Sequence, residues 1–253
     1  MTFPITVLIE VHNDKKNIKD CIESAQLLTS HIIVVDIGST DSTAKTAASL
    51  GAKVYPFPFT PYVEPAREFG IKRVRTEWVL IIDSDERVTQ ELAEEILSSV
   101  STKKAPHFKI PRKNIFGHKF WLKYGGWWPD YQIRLINKKY FKKWPKTIHS
   151  TPKIEGPFGI LSNPILHFFH GDLENMVNKT IIFENIESHL LYRAKREVNI
   201  RIFFRKFLGE LYRRMIKNIG FLDGKIGIIE AVYQAYSKTI TYLYLYEKKS
   251  RPL

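Results

Sequence analysis

Three carboxylates, Asp83, Asp85 and Glu86, follow at once on the apolar residues 78–82 in the string WVLIIDSDER. Carboxylates one residue apart at the end of a strand repel each other unless a cation lies between or beyond them. A divalent metal answers that need, because Mg²⁺ and Mn²⁺ take hard oxygen ligands, and Mg²⁺ is commonly held by one or two carboxylates plus substrate phosphates. The same residues have a plainer use, since Ser84 or Asp85 would also cap a helix over residues 88–100. Two further polar loops carry acids, His12-Asn13-Asp14 and the stretch from Asp36 to Asp41. Asp36 ends an apolar run abruptly and is placed to accept from an N–H or O–H of a ligand, whereas Asp41 reads as a helix cap.

These residues need elements that bring them together. Five apolar residues suit a strand buried on both faces and are too few for an ordinary helix. Residues 5–11 and 32–35 read as two more internal strands, each broken by a polar loop. Ile18, Cys21, Ile22, Ala25 and Leu28 recur at helical spacing, and 42–50 is a short Ala-rich helix that Gly51 is placed to end, before a strand over 52–55. Pro56, Pro58 and Pro61 hold 55–64 extended, and Pro65 opens a helix running to Val74. Arg67 then falls in the first turn, where a cation opposes the helix dipole and an anionic partner is expected. Strands alternating with helices predict an α/β fold with a mostly parallel sheet, and ligands bind outside the carboxyl ends of such strands.

The chain has 253 residues, 44% of them hydrophobic, enough for one substantial α/β domain or a domain with an appended subdomain. Its single cysteine, Cys21, forms no internal disulfide, so a reducing cytosol is compatible with the fold. The first residues have neither the basic start nor the cleavage site of a leader, and no apolar run approaches a membrane span, so a soluble or peripheral protein is expected. The net charge of +13 gathers after Lys103 and would attract nucleotide-sugars, anionic lipid or nucleic acid. Acidic loops at the ligand edge, with no zinc or helix-turn-helix signature, argue against nucleic acid. An aspartyl phosphatase also places DxD after an apolar strand, but it wants Thr or Val where this chain has Arg87. From residue 201 on, Phe204, Phe207, Leu208, Leu211, Met215 and Ile219 recur at three and four among many Arg and Lys, predicting a basic amphipathic helix. After a break at 220–227, residues 228–246 read as another helix, and the pair suits either an anionic membrane surface or packing of its apolar stripe on the preceding domain.

The ordered strings VVDIGSTDST, EPAREFGIKRVRTEWVLIIDSDERVTQEL and WWPDYQIRL resemble the family 2 inverting glycosyltransferases of GT-A fold. The last resembles the branch that includes lipopolysaccharide-core β1,4-glucosyltransferases. The resemblance implies a GT-A domain over 1–200, with a nucleotide-sugar half at 1–100 and an acceptor half at 101–200, followed by a helical extension at 201–253. It implies that Asp14 and Asp36 contact the nucleoside, that Asp83 and Asp85 hold the ribose and a Mn²⁺ or Mg²⁺ on the diphosphate, and that Arg67 lies on the base or diphosphate side. His167 and His170 stand where relatives' residues reach the metal or diphosphate, although a lone His at a strand end more often belongs to the core, and His170 is carried over as a metal ligand. The donor is then a UDP-sugar and the acceptor a saccharide or lipid-linked glycan, in an enzyme cytoplasmic or peripheral at the inner face of a membrane. Glu10, His12, Ile37 and Ser42 depart from the family's first two motifs, and His149-Ser150 stands where the branch often has His-Glu.

Inverting transfer needs one base to take the proton of the attacking hydroxyl. Asp130 is the candidate, since it follows Gly125-Gly126 and the flat faces of Trp127 and Trp128, which suit a sugar, and opens a strand over 131–136. Arg134 would brace a carboxylate or the diphosphate, and Glu86 and Arg87 are left as structural or acceptor-side residues.

Overall fold

The computed structural model describes residues 5–102, 104–169 and 173–250. In chain order its regular elements begin β1 (Ile5–Val11), α1 (Ile18–Ala25), β2 (Ile32–Asp36), α2 (Thr43–Ser49), β3 (Lys53–Pro56), α3 (Glu64–Arg73), β4 (Trp78–Asp83), β5 (Glu86–Arg87) and α4 (Gln90–Thr102). The strands β6 (His107–Phe116), β7 (Phe120–Trp121), β8 (Asp130–Asn137), β9 (Phe141–Lys143), β10 (Lys153–Ile154), β11 (Phe158–Ile160) and β12 (Ile165–Phe169) follow. Helices α5 (Leu173–Arg193), α6 (Ile200–Tyr212) and α7 (Gly224–Ser250) close the chain, with a π-helical turn at Arg213–Lys217 and a 3-10 turn at Gly220–Asp223 between the last two.

The fold is the α/β arrangement that the alternating pattern predicts. One sheet runs β3-β2-β1-β4-β8-β6-β12-β5, with β11 and β7 also paired to β6. Strands β3, β2, β1 and β4 are parallel, while β8 lies antiparallel to both β4 and β6. The β1 side chains Ile5, Val7, Ile9 and Val11 join the core that holds Ile18, Ile22, Leu92 and Ile96 of α1 and α4. Leu8 joins the opposite core, with Ala66 and Ile71 of α3. A strand covered on both faces has no solvated side, which is why ITVLIEV and WVLII are nearly unbroken apolar runs. Gly70 lets α3 come close to the sheet, since a Cβ there would stand 2.7 Å from a Leu8 methyl.

The Ser84 or Asp85 capping expectation is corrected. The chain does not enter a helix after Asp85 but forms β5, antiparallel to β12 through Glu86 opposite His167 and Arg87 opposite Leu166. Helix α4 starts only at Gln90, with Thr89 Oγ1 accepting from the Leu92 N–H at 3.2 Å.

The chain divides into two compact units. The first comprises residues 1–113 and 130–167 and contains the parallel strands. The second comprises 114–129 and 168–253. In it, Gly227 of α7 meets the preceding turn so closely that a Cβ would lie 2.1 Å from the Gly220 carbonyl oxygen, a contact only glycine permits.

Candidate active site

The parallel register sets the strand ends level, with Val11 opposite Asp36 and Glu10 opposite Asp83. Asp36 and Asp83 therefore end the two strands that flank β1, at the carboxyl edge where the following loops converge. Those loops are tied to one another. The Asn13 N–H donates to Ser39 Oγ at 2.9 Å, and Asn13 Oδ1 accepts from the Thr40 N–H at 2.7 Å. Asp14 lies between them, its Oδ2 accepting from Ser84 Oγ at 2.6 Å and its Oδ1 from Asn17 at 2.9 Å. Asp41 accepts from the Thr43 N–H at 2.9 Å at the start of α2, the role its position predicts.

Asp36 is 8% exposed, and its Oδ2 accepts from the Ser39 N–H at 3.2 Å. Its Oδ1 is buried and has no partner among the described residues. Buried polar atoms are nearly always satisfied, so an open acceptor at a strand end suits a donor brought by a ligand.

Around Asp83 the site is an alternating row of charges. Glu10, fully buried at the end of β1, pairs with Arg67 of α3. Arg67 Nη2 reaches Asp83 Oδ1 at 2.5 Å, and Asp83 Oδ2 takes Arg134 Nη2 of β8 at 2.5 Å. The same Arg134 nitrogen donates to Glu86 Oε1 at 2.6 Å, and Arg112 Nη1 of β6 lies 3.5 Å from that oxygen. Arg112 ends the row on Asp130, with Nη2 2.6 Å and Nε 2.8 Å from Oδ2. Glu86 also accepts the Asp83 N–H through Oε2 at 2.9 Å. All seven residues belong to the first unit.

Electrostatics follow from this row. Burial alone would raise the Asp83 carboxyl, but Arg134 and then Arg67 hold it well below the usual carboxylate range. Glu10 goes the other way, since burial pushes it up to about 7 against the pull of Arg67. Burial disfavours the charged Arg67 guanidinium, yet Asp83 and Glu10 raise its pKa above the ordinary value.

Asp85 sits in the turn between β4 and β5, its side chain 18% exposed and its Oδ1 3.6 Å from His167 Nε2. Arg87 fixes that turn by donating to the Ser84 and Glu86 carbonyls at 2.8 and 2.9 Å. Among the described residues no group of three or more His, Cys, Asp and Glu converges as a ready metal cage. A carboxylate shared with substrate phosphates needs no such cage, and Asp85 has the chemistry for that role. Asp83 already meets two guanidiniums, positive charge that opposes a cation on the same oxygens. His170 lies outside the described residues. The His149 N–H donates to Glu64 Oε1 at 2.7 Å.

Asp130 opens β8 with its side chain 22% exposed, and Gln132 donates to its Oδ1 at 2.7 Å. The residues just before it belong to the second unit and are held there. Asp223 accepts the N–H groups of Lys123 at 3.0 Å and Tyr124 at 2.8 Å, the Gly125 N–H donates to the Asn218 carbonyl at 2.8 Å, and Arg214 donates to the Gly125 carbonyl at 3.2 Å. The Arg214 guanidinium stands 5.1 Å from the Trp127 ring, and Trp128 meets Trp121 edge to face at 5.5 Å. Both Trp127 and Trp128 are half-buried.

Sequence reasoning left Glu86 only as a structural or acceptor-side residue, gave Arg112 no role, and treated Glu10 only as a departure from a motif. A carboxylate inside the apolar run ITVLIEV was a readable signal, because a buried charge demands a partner. Arg112 carried no comparable signal.

Several known proteins are similar to this chain over all or part of its length. An uncharacterized glycosyltransferase of Rickettsia conorii is 27% identical over 258 aligned residues, covering 94% of this chain and 88% of its own. The lipopolysaccharide core biosynthesis glycosyltransferase LpsC of Rhizobium meliloti is 32% identical over 95 residues, 36% of this chain and 35% of its own. Among solved structures, S. aureus TarS 1-349 in complex with UDP-GlcNAc has a TM-score of 0.52 at 15% identity, covering 98% of this chain and 92% of that one. Mannosyl-3-phosphoglycerate synthase from Rubrobacter xylanophilus has a TM-score of 0.50 at 16% identity over 78% of this chain and 77% of that one. The sequence model described as glycosyl transferase family 2 matches residues 6–152. With more than half of its residues inside that match, the chain belongs to glycosyl transferase family 2.

Proposed function

We propose that the protein transfers a hexose, of the glucose or N-acetylhexosamine class, from a UDP-sugar to a hydroxyl of a saccharide or lipid-linked glycan such as lipopolysaccharide core, with inversion at the anomeric carbon. The observation that carries the donor half is the buried, unpartnered Asp36 Oδ1 at a strand end level with Asp83. Asp36 accepts from the nucleoside, with Asp14 beside it. Asp83 keeps a second lone pair on each oxygen for the ribose hydroxyls while Arg67 and Arg134 hold it in place. Arg67, enclosed between Glu10 and Asp83, acts on the donor through Asp83. Asp85, rather than Asp83, holds the Mn²⁺ or Mg²⁺, and His170 is the expected further ligand. That metal, when bound, neutralises the charge growing on the departing diphosphate.

On the acceptor side Asp130 takes the proton of the attacking hydroxyl. Arg112 fixes one Asp130 oxygen with two N–H groups and leaves the other to Gln132, which keeps the carboxylate aimed. The UDP-GlcNAc complex of TarS supports a UDP-sugar, and LpsC supports a lipopolysaccharide-core acceptor. A lipid-linked acceptor would place the enzyme at the cytoplasmic face of a membrane.

The test is a donor panel of UDP-glucose, UDP-N-acetylglucosamine and GDP-mannose with Mn²⁺, following nucleotide release by mass spectrometry. UDP release is expected, lost in Asp85→Ala and slowed at least about 100-fold in Asp130→Asn, the usual worth of a general base. Turnover of GDP-mannose alone, or undiminished UDP release in both variants, would overturn the assignment.

A further inference from the structure

We infer that α6 and the turn after it form a docking face for an anionic phospholipid bilayer. The inference stands on the second unit alone, whatever sugar the first unit transfers. Along α6 and the following π-helical turn every fourth side chain is apolar and outward: Ile200 is 66% exposed, Phe204 53%, Leu208 57%, Tyr212 61% and Ile216 55%. At the tip Phe221 and Leu222 are 45% and 53% exposed. The alternate apolar residues Phe203, Phe207, Leu211 and Met215 are only partly exposed, so the stripe read from sequence divides into a partly covered set and an open one.

Charge decides what covers the open set. Arg201, Arg205, Lys206 and Lys217 are exposed, and none has a carboxylate partner among the described residues. The one acid on this stretch, Glu210, is already taken by Arg213 at 2.5 Å and Arg214 at 2.7 Å. A second copy meeting this face in a two-fold contact would set cations against cations with no acid to offset them. A bilayer needs no matching shape, accepts apolar side chains below its headgroups and pairs lipid phosphates with flanking Arg and Lys, whose long stems reach up to them. No helix among the described residues is long and apolar enough to cross a membrane, so the contact is lateral.

Flotation of the full chain with phosphatidylcholine vesicles, with and without about one-third phosphatidylglycerol, tests the inference. Binding is expected on the anionic vesicles and release at high salt. Arg201→Gln/Arg205→Gln should weaken partitioning about 30-fold, at about fivefold per cation. Phe204→Ser/Leu208→Ser should weaken it by at least about 30-fold, with an unchanged melting temperature because both side chains are outside the core. Equal recovery on both vesicle types, or binding untouched by Phe204→Ser/Leu208→Ser, would overturn it. So would a sedimentation-measured dimer that the same double variant abolishes, since a second copy would then cover the face.

Discussion

Glu86→Gln tests the alternating charge row at its centre. The wild-type carboxylate is fully buried and answers three donors: Arg134 at 2.6 Å, Arg112 at 3.5 Å and the Asp83 N–H at 2.9 Å. A glutamine keeps the shape but replaces one oxygen with an NH₂ group. That group must face either the Asp83 N–H or the Arg134 guanidinium, so one donor loses its acceptor and both arginines lose a neutralising charge. Removing one partner of a buried ion pair costs about 3–5 kcal/mol, and the conservative side chain argues for the lower figure, about 3 kcal/mol. Hydrogen exchange read by mass spectrometry on β4 and β8 peptides is the assay, since it isolates the first unit. A loss of about 3 kcal/mol accelerates exchange there by more than about 100-fold. Adding Arg134→Met removes the stranded cation, so the double variant should be less destabilised than the sum of its parts by about 1–3 kcal/mol. Exchange in β4 altered less than about threefold by Glu86→Gln, or two losses that simply add, would refute the row as a coupled unit.

Two further outcomes are expected. Glu230 of α7 is almost fully buried, and burial pushes its carboxyl up from 4.5 to about 7. The folded state thus binds the proton more tightly than the unfolded one, and stability falls as pH rises from about 4.5 to about 7, by about 3 kcal/mol in all. Glu230→Gln should remove that fall, raising the melting temperature at pH 8 and leaving it nearly unchanged at pH 4; a pH-independent difference would refute the reasoning. Asp223→Ala should cost about 2 kcal/mol of local order by stranding the Lys123 and Tyr124 N–H groups. It is read as lost exchange protection at those amides, with β1 and β4 unaffected.

Strands β1, β2 and β4 of the parallel half were legible because each is buried on both faces and ends in a polar loop. The runs at β1, β2 and β4 therefore announced themselves, and their register delivered Asp36 and Asp83 to one edge as read. The short antiparallel pieces were not legible. Glu86 and Arg87 form a strand only because β12, some eighty residues on, lies beside them, and nothing in DSDERV distinguishes that from a helix start. Arg67 shows the same limit from the other side. Its unfavourable place in the first turn of α3 did signal an anionic partner, but the partners are Glu10 and Asp83 of the protein itself. Local pattern reported the need for a negative charge, and only the packing of α3 on β1 and β4 says whose charge it is.

The second unit is discontinuous in sequence, made of residues 114–129 and everything from 168 onward. Asp223 and Arg214 grip the backbone of Lys123, Tyr124 and Gly125, five to seven positions before Asp130 in the sequence. For anyone recombining this chain with a relative, the natural cut is thus a pair of exchanges. A chimera that imports the C-terminal helices but keeps the native 114–129 builds one unit from two mismatched parents, whereas one that moves both segments carries an intact cassette.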